Sequence, residues 1–332
     1  MRKLLFTLLA ATALNSMAQQ LPMQLWYDKP ANYFEEALPI GNGKLGAMVY
    51  GDPGEDIIYL NDLTLWTGKP VDREEGGGAY KWIPEIRKAL FSEDYALADS
   101  LQRHVQGHNS HFYQTLATLK IKDLSPTLPN AQESRYRREL NLDSALLKIS
   151  YECQGIRYSR EYFASNPDKV IAIRISADKP RQINSEIVLT AQTPHKVKTS
   201  GGQLTLMGHA VGDPNESIHY CSNLIVKNKD GQISKTDSTL LLTGVTEAVV
   251  YFVNETSFNG FDKHPVSEGA PYIENVADDA WALVNFPYDQ LRSRHIADYQ
   301  QFFNRVKLSL GPACCDAIAT IPTDQLLKQY TD

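Results

Sequence analysis

The chain has 332 residues, 42% hydrophobic and 22% charged, with a formal net charge of −6. That length builds one large all-β unit or two ordinary domains, each with a full core. The mixed, mildly acidic charge leaves no electrostatic footprint for nucleic acid, and no run of 18 apolar residues offers a membrane span.

At the N-terminus, Arg2 and Lys3 precede the apolar run LLFTLLAATAL, and Ser16, Met17 and Ala18 supply the small residues of a cleavage site. The pattern predicts a secretory signal peptide over 1–18 and a periplasmic or secreted mature protein. Gln19 stands where a bacterial lipid anchor needs Cys. Next, residues 41–46 read GNGKLG, which fits the dinucleotide fingerprint G-x-G-x-x-G letter for letter. That fingerprint cradles a pyrophosphate only after a strand and at the mouth of a helix. Upstream, Glu35, Glu36 and Pro39 argue against a buried parallel strand. Downstream, AMVYGDPGEDIIYL reads as a short strand, a Pro-Gly turn and a second strand. The context predicts a tight glycine turn feeding a hairpin.

WIPEIRKALFSEDYALADSLQRHV then carries Ile83, Ile86, Leu90, Leu97 and Leu101 at helical spacing. Pro84 suits a first turn, and Ser92, Glu93 and Asp94 mark a restart, so a helical excursion packed on a sheet edge is expected. His104, His108 and His111 follow as H-x3-H-x2-H, but Gly107, Asn109 and Ser110 interrupt any helix. They read as a loop with polar histidines, not a metal site.

Strand-like runs dominate from Leu45 to Val253. LLKISYEC puts Leu147, Ile149, Tyr151 and Cys153 on one face, IRYSREYF does the same for Ile156, Tyr158, Arg160 and Tyr162, and VIAIRIS continues with Ile171, Ile173 and Ile175. LIVKN, TLLLTG and AVVYFVN extend the pattern, with polar turns at 213–215 and 228–231. Many short, evenly spaced strands predict a sandwich or barrel. Cys153 and Cys221 lie in strand-like segments, which leaves open an inter-strand disulfide or buried free thiols; adjacent Cys314 and Cys315 are badly placed to bridge each other.

Toward the C-terminus, PYDQLRSRHIADYQQFFNRVKLSLG places Tyr288, Leu291, His295, Tyr299, Phe302 and Val306 on one helix face, with His295 read as a satisfied core histidine. Gly311 and Pro312 open a loop, and IPTDQLLKQYTD starts another helix with Thr323 as its cap. Catalytic pairs are hard to find. Asp52, Glu55 and Asp56 cluster in a Pro-Gly turn and read as solvent-facing charge. The adjacent pairs Glu35-Glu36 and Glu74-Glu75 point apart, so no two acids are set across a cleft as glycoside hydrolysis requires. The 17 Tyr, 11 Phe and 4 Trp suit sugar faces and core packing equally.

At the level of words, LWYDKPANYFEEALPIGNGKLGAMVYG followed by IIYLNDLTLWTGKP resembles the opening of glycoside hydrolase family 95, the inverting α-L-fucosidases. Further matches run in order through IPEIRKALF, YRRELNLDSALLKISYECQGIRYSREYFASNPDKVIAIRIS and RHIADYQQFFNRVKLSLG, covering nearly all of the mature chain. The resemblance implies a mainly β fold: a large two-sheet antiparallel β-sandwich over 19–285 with a helical insertion, then a helical linker and the start of the next domain over 286–332. In the family an (α/α)6 barrel follows, holding the general acid and an asparagine-assisted water. No position here matches the motifs of that acid or base, so the resemblance assigns no catalytic residue, metal or cofactor to this chain.

The expectation is therefore an N-terminal domain that lacks the barrel and is inactive alone. It would meet a fucosylated glycan as substrate only if a separate barrel polypeptide were supplied; the alternative is a free-standing carbohydrate-binding or interaction module. The resemblance further implies that sandwich loops wall the barrel side, which puts Asn42, Gly43, Asn61, Thr64 and Trp66 near a domain interface or substrate. The residues themselves leave open that Asn61 and Thr64 make turn hydrogen bonds and that Trp66 is core. Where the family has Tyr-Gln-Pro-Leu-Gly-Asp-Leu, this chain reads YQTLATL over 113–119, a departure that alters the loop.

Overall fold

The structure, a computed structural model, describes residues 23–71, 77–107, 111–125, 133–308 and 319–330. The expected signal peptide over 1–18, and Glu74, Glu75, His108, Cys314 and Cys315, lie outside the described residues. Two antiparallel sheets face each other. The larger has nine strands in the order β1 (Gln24–Tyr27), β6 (Ser134–Asn141), β7 (Leu146–Cys153), β8 (Ile156–Ser165), β9 (Val170–Ala177), β16 (Glu247–Thr256), β13 (His219–Asn228), β12 (Gln203–His209) and β11 (His195–Ser200). The smaller has seven, in the order β14 (Gln232–Lys235), β15 (Thr239–Val245), β10 (Ile183–Thr190), β5 (Ala117–Asp123), β4 (Glu55–Asp62), β3 (Leu45–Val49) and β2 (Leu38–Gly41). The expected two-sheet sandwich is what forms.

Period-2 patterning explains the main core. In β4, Ile58 and Leu60 point inward while Ile57, Tyr59 and Asn61 alternate outward. In β7, Leu147, Ile149 and Tyr151 meet them from the other sheet. Each fully buried large aliphatic side chain contributes about 1.5–3 kcal/mol. Strands β9 and β16 break the alternation, because both their faces are buried. A second core lies on the outer side of the nine-stranded sheet, where Phe163, Ala172, Tyr251 and Val253 pack under α3 (Tyr272–Leu283) and α4 (Tyr288–Phe303).

The second core is fastened by a buried carboxylate. Glu161 is 5% exposed and accepts hydrogen bonds from Tyr288 Oη (3.0 Å) and Arg292 Nε (2.9 Å) on α4, while Lys148 and Arg174 approach from the sheet. Burial would raise its pKa, but the hydrogen bond and charge of Arg292, with Tyr288 and Lys148, hold it below the ordinary carboxylate range. His295 lies in the same layer, as expected of a core histidine: it stacks on Phe163 at 4.9 Å and its Nε2 meets the carbonyl of Ser144 at 3.1 Å. Burial pushes its pKa down despite these carbonyls.

Several expectations need correction. The helical insertion forms α1 (Ile83–Phe91) and α2 (Tyr95–Gln102), with Asp94 capping the second through Leu97 N at 3.0 Å. These helices pack on each other and not along a sheet edge, and Leu90, Leu97 and Phe91 stay exposed. In the C-terminal stripe only Tyr288, Leu291 and His295 are buried; Phe302 and Val306 are exposed. Thr323 does not cap α5 (Thr323–Gln329); its hydroxyl instead accepts from Trp26 N at 2.9 Å and ties the helix to β1. Asp56 is not solvent-facing. It is fully buried, beside Arg160 and hydrogen-bonded by Tyr162 and Gly51 N. Of the alternatives left open for the cysteines, free thiols hold: Cys153 and Cys221 are unbridged, and β7 and β13 are separated in the sheet by three strands.

Candidate functional site

The GNGKLG segment closes the β2–β3 hairpin. Gly41 pairs with Gly46, Asn42 N donates to Leu45 O at 3.0 Å, and Gly43 takes the left-handed φ of +90° that favours glycine. No helix follows it, so the anion site of a dinucleotide fold does not form. The Asn42 side chain does two jobs. Its Oδ1 accepts from Lys44 N (3.0 Å) and Leu45 N (2.7 Å), shaping the turn; its Nδ2 donates to Ser165 O (2.8 Å) across the sandwich. Asn166 Nδ2 returns a bond to Asn42 O at 2.9 Å, so the hairpin of one sheet is stapled to the β8–β9 turn of the other.

A second cross-sheet network lies beside it. Asp62, fully buried, accepts from Thr64 N (2.9 Å) and Thr64 Oγ1 (2.6 Å), and its other oxygen accepts from Asn254 Nδ2 at 2.9 Å. Ser222 donates to Asn254 Oδ1 at 2.7 Å, and Thr256 meets Thr64 at 2.6 Å. Leu63 N donates to Lys44 O at 2.9 Å, and Lys44 pairs with Glu255, which joins this network to the hairpin. The structure thus brings Asn42, Gly43, Asn61 and Thr64 to one end of the sandwich. Of these, Asn42 and Thr64 have their polar groups engaged in turns and staples.

Trp66 stands apart from them. It is 43% exposed, with Nε1 bonded to Leu63 O at 3.0 Å and its ring edge-on to Tyr113 at 6.5 Å. It belongs to the wall of a cavity of about 240 Å³ that also involves His111, Phe258 and Phe261. Asn61 faces elsewhere: it lines a larger cavity, about 460 Å³, on the outer face of the seven-stranded sheet. Its Oδ1 is buried without a hydrogen-bond partner. Met48, Tyr50, Tyr59, Tyr113 and Gln192 are further lining residues, none of them signalled as a site by sequence spacing. What could have found them is the outward phase of β3 and β4, which sets Gly46, Met48, Tyr59 and Asn61 on one face. Burial pushes the Tyr50 and Tyr113 hydroxyls up, so both stay neutral near pH 7.

No carboxylate lines this cavity, the one beside Trp66, or a third, of about 380 Å³, between His195, His209, His219 and Tyr272. Inverting glycoside hydrolysis needs two carboxyl groups about 6.5–9.5 Å apart around the bond to be cut. Among the described residues no group of three His, Cys, Asp or Glu side chains is arranged to hold a metal ion. His104 instead stacks on Trp82 at 3.9 Å.

Comparison with known proteins adds the following. The family model described as "Glycosyl hydrolase family 65, N-terminal domain" matches residues 25–260, most of the chain. "Alpha-L-fucosidase 2" of Arabidopsis thaliana is 29% identical over 312 residues, covering 87% of this chain and 37% of the plant protein. "Probable alpha-fucosidase A" of Aspergillus niger is 29% identical over 328 residues, covering 92% of this chain and 40% of the fungal protein. The chain therefore spans about two fifths of the length of the curated relatives it matches.

Proposed function

The chain belongs to the family of glycosyl hydrolase family 65 N-terminal domains, and from that premise we propose that it is the N-terminal sandwich of an exported α-L-fucosidase-like glycoside hydrolase of family 95. The family number in the matched description differs from the resemblance read in the sequence. The family 95 reading is supported by the ordered sequence words and by relatives that carry fucosidase names over nearly the same span. Export is supported by the charged and apolar pattern of 1–18. The sandwich is taken to occupy 19–285, and 286–332 to lead toward a catalytic domain.

The observation that carries the mechanism is the lining of the three cavities: aromatics and hydroxyls throughout, amides over Gly46, lysines and histidines in the other two, but no carboxylate. A sugar can be held there, while the acid and the base for inverting hydrolysis have to come from a partner domain or polypeptide. The sandwich's part is positional. Its stapled end, with Asn42, Gly43 and Thr64, gives that partner a rigid seat, and Asn61 and Trp66 stand beside the open cavities. The test is hydrolysis of 4-nitrophenyl α-L-fucoside. The purified chain alone is expected to give no turnover above background, and a fusion to the remaining segment of the Arabidopsis relative is expected to give fucose release. Turnover by the chain alone, abolished by a point substitution within it, would overturn the reading.

A further inference from the structure

The outer face of the seven-stranded sheet contains a hollow that the fold itself does not require. Its floor is Gly46, the second residue of β3, paired with Gly41 on one side and Asn61 on the other. Three reasons commonly force a glycine into a strand: a left-handed φ, a steric clash with Cβ, or a bulge. None operates here. Gly46 is absent from the residues of positive φ, and the β2–β3–β4 register runs without a shift. A Cβ at Gly46 would meet nothing closer than Ile40 O at 3.6 Å and Asn61 Cβ at 3.8 Å, both ordinary contacts. Yet glycine within a strand costs about 0.5–1 kcal/mol relative to alanine. The remaining reason is close approach of another molecule.

The walls say what kind. Tyr50 and Tyr59 meet edge-on at 5.6 Å, Phe34 adds a tilted ring 6.1 Å from Tyr59, and Tyr113 stands toward the other end, 43% exposed. Asn61 and Gln192 supply amides, with the Asn61 carbonyl oxygen unpartnered inside the protein. No lining residue carries a formal charge. At about 460 Å³ the cavity falls in the range of small-molecule sites. Aromatic faces accept the C–H face of a pyranose, and side-chain amides pair with its hydroxyls as donor and acceptor together. A charged sugar would be desolvated there without a counter-ion.

We infer that the hollow over Gly46, between Tyr59, Tyr113 and Asn61, is a binding site for a neutral pyranose unit of a glycan. It rests on the hydrolase reading in taking a sugar as the occupant of this cavity, and needs no partner polypeptide. The experiment is titration calorimetry of the purified chain with methyl α-L-fucopyranoside and methyl β-D-galactopyranoside, with sodium glucuronate as the charged control. At least one neutral glycoside is expected to bind saturably in the millimolar range, and glucuronate at least about tenfold more weakly. Gly46→Val, which fills the hollow, is expected to weaken binding at least about tenfold while the melting temperature holds. Should Gly46→Val unfold the chain, Tyr59→Ala carries the same expectation. No saturation by either neutral glycoside up to about 50 mM, equal affinity for glucuronate, or wild-type affinity in a folded Gly46→Val or Tyr59→Ala chain would each overturn the inference. Because no turnover is read, this binding and the hydrolase reading can fail independently.

Discussion

The two sheets of this sandwich are built from the same antiparallel chemistry and treat their outer faces in opposite ways. The nine-stranded sheet covers its outer face with α3 and α4 over a second core around Phe163 and Tyr251. Among the described residues the seven-stranded sheet has no such helical cover, and a neutral aromatic hollow lies on its outer face. One face is fixed by burial, so substitutions on it read out as stability. The other is spared that role, and side chains there are free to serve recognition.

That contrast can be pressed hardest at Phe163, which is fully buried between His295 and Tyr288. Phe163→Ala is expected to cost about 3–5 kcal/mol in denaturant unfolding, whereas Tyr59→Ala on the open face costs about 1 kcal/mol. Equal losses would erase the distinction. Next is the clamp: Glu161→Gln leaves Arg292, Arg174 and Lys148 without their shared carboxylate. A loss of about 2–3 kcal/mol is expected, with earlier proteolytic cleavage in α4 than elsewhere.

A smaller effect tests the end of the sandwich where the sheets are stapled. Asn42→Ala removes the bonds to Lys44 N, Leu45 N and Ser165 O, and about 1–2 kcal/mol should be lost. Retained stability would show that the staple is ornamental.

The pH dependence is smaller again, and its sign follows from two lowered pKa values. His295 titrates below its ordinary 6.5 because burial resists its charging. Above that value folded and unfolded chains are both neutral there, so its contribution is fully present. As pH falls below 6.5 the unfolded chain takes the proton first, and stability drops by at most about 1.4 kcal/mol per pH unit. Glu161, held below 4.5, adds a second loss only as pH falls from there through its folded value. Unfolding midpoints at pH 7, 5.5 and 4 check both steps, and His295→Gln should flatten the first. Smallest of all is Gly46→Ala, expected to raise stability by about 0.5–1 kcal/mol, because the added methyl meets only ordinary contacts.

Much of the scaffold was legible from side-chain phase. Leu147, Ile149 and Tyr151 had one environment available to them as a set, so period 2 named the face that became core. Failures came where a residue's environment belongs to a distant strand. Asp56 sits in a Pro-Gly turn and reads as surface charge, but Arg160 and Tyr162, more than a hundred residues later, enclose it. The α1–α2 hairpin has an apolar stripe that resembles one seated on a sheet, yet Ile83, Leu90 and Leu97 stay exposed. The helix α3 went unread between the last strand-like run and the stripe that starts at Tyr288. The resemblance put all five candidate residues near one interface or substrate; that Asn61 and Trp66 line different cavities was not written in it.

Local sequence determined the alternation of strands, the GNGKLG turn and the absence of a helix behind it. These depend on φ preferences, hydrophobic phase and neighbours within a few residues. Tertiary structure alone decided which face of each sheet is covered, which turn is stapled across the sandwich, and that Gly46 floors a hollow instead of relieving strain. Those outcomes depend on residues brought together from across the chain, such as Asn42 with Ser165 or Thr64 with Thr256, and no short window of sequence contains both partners.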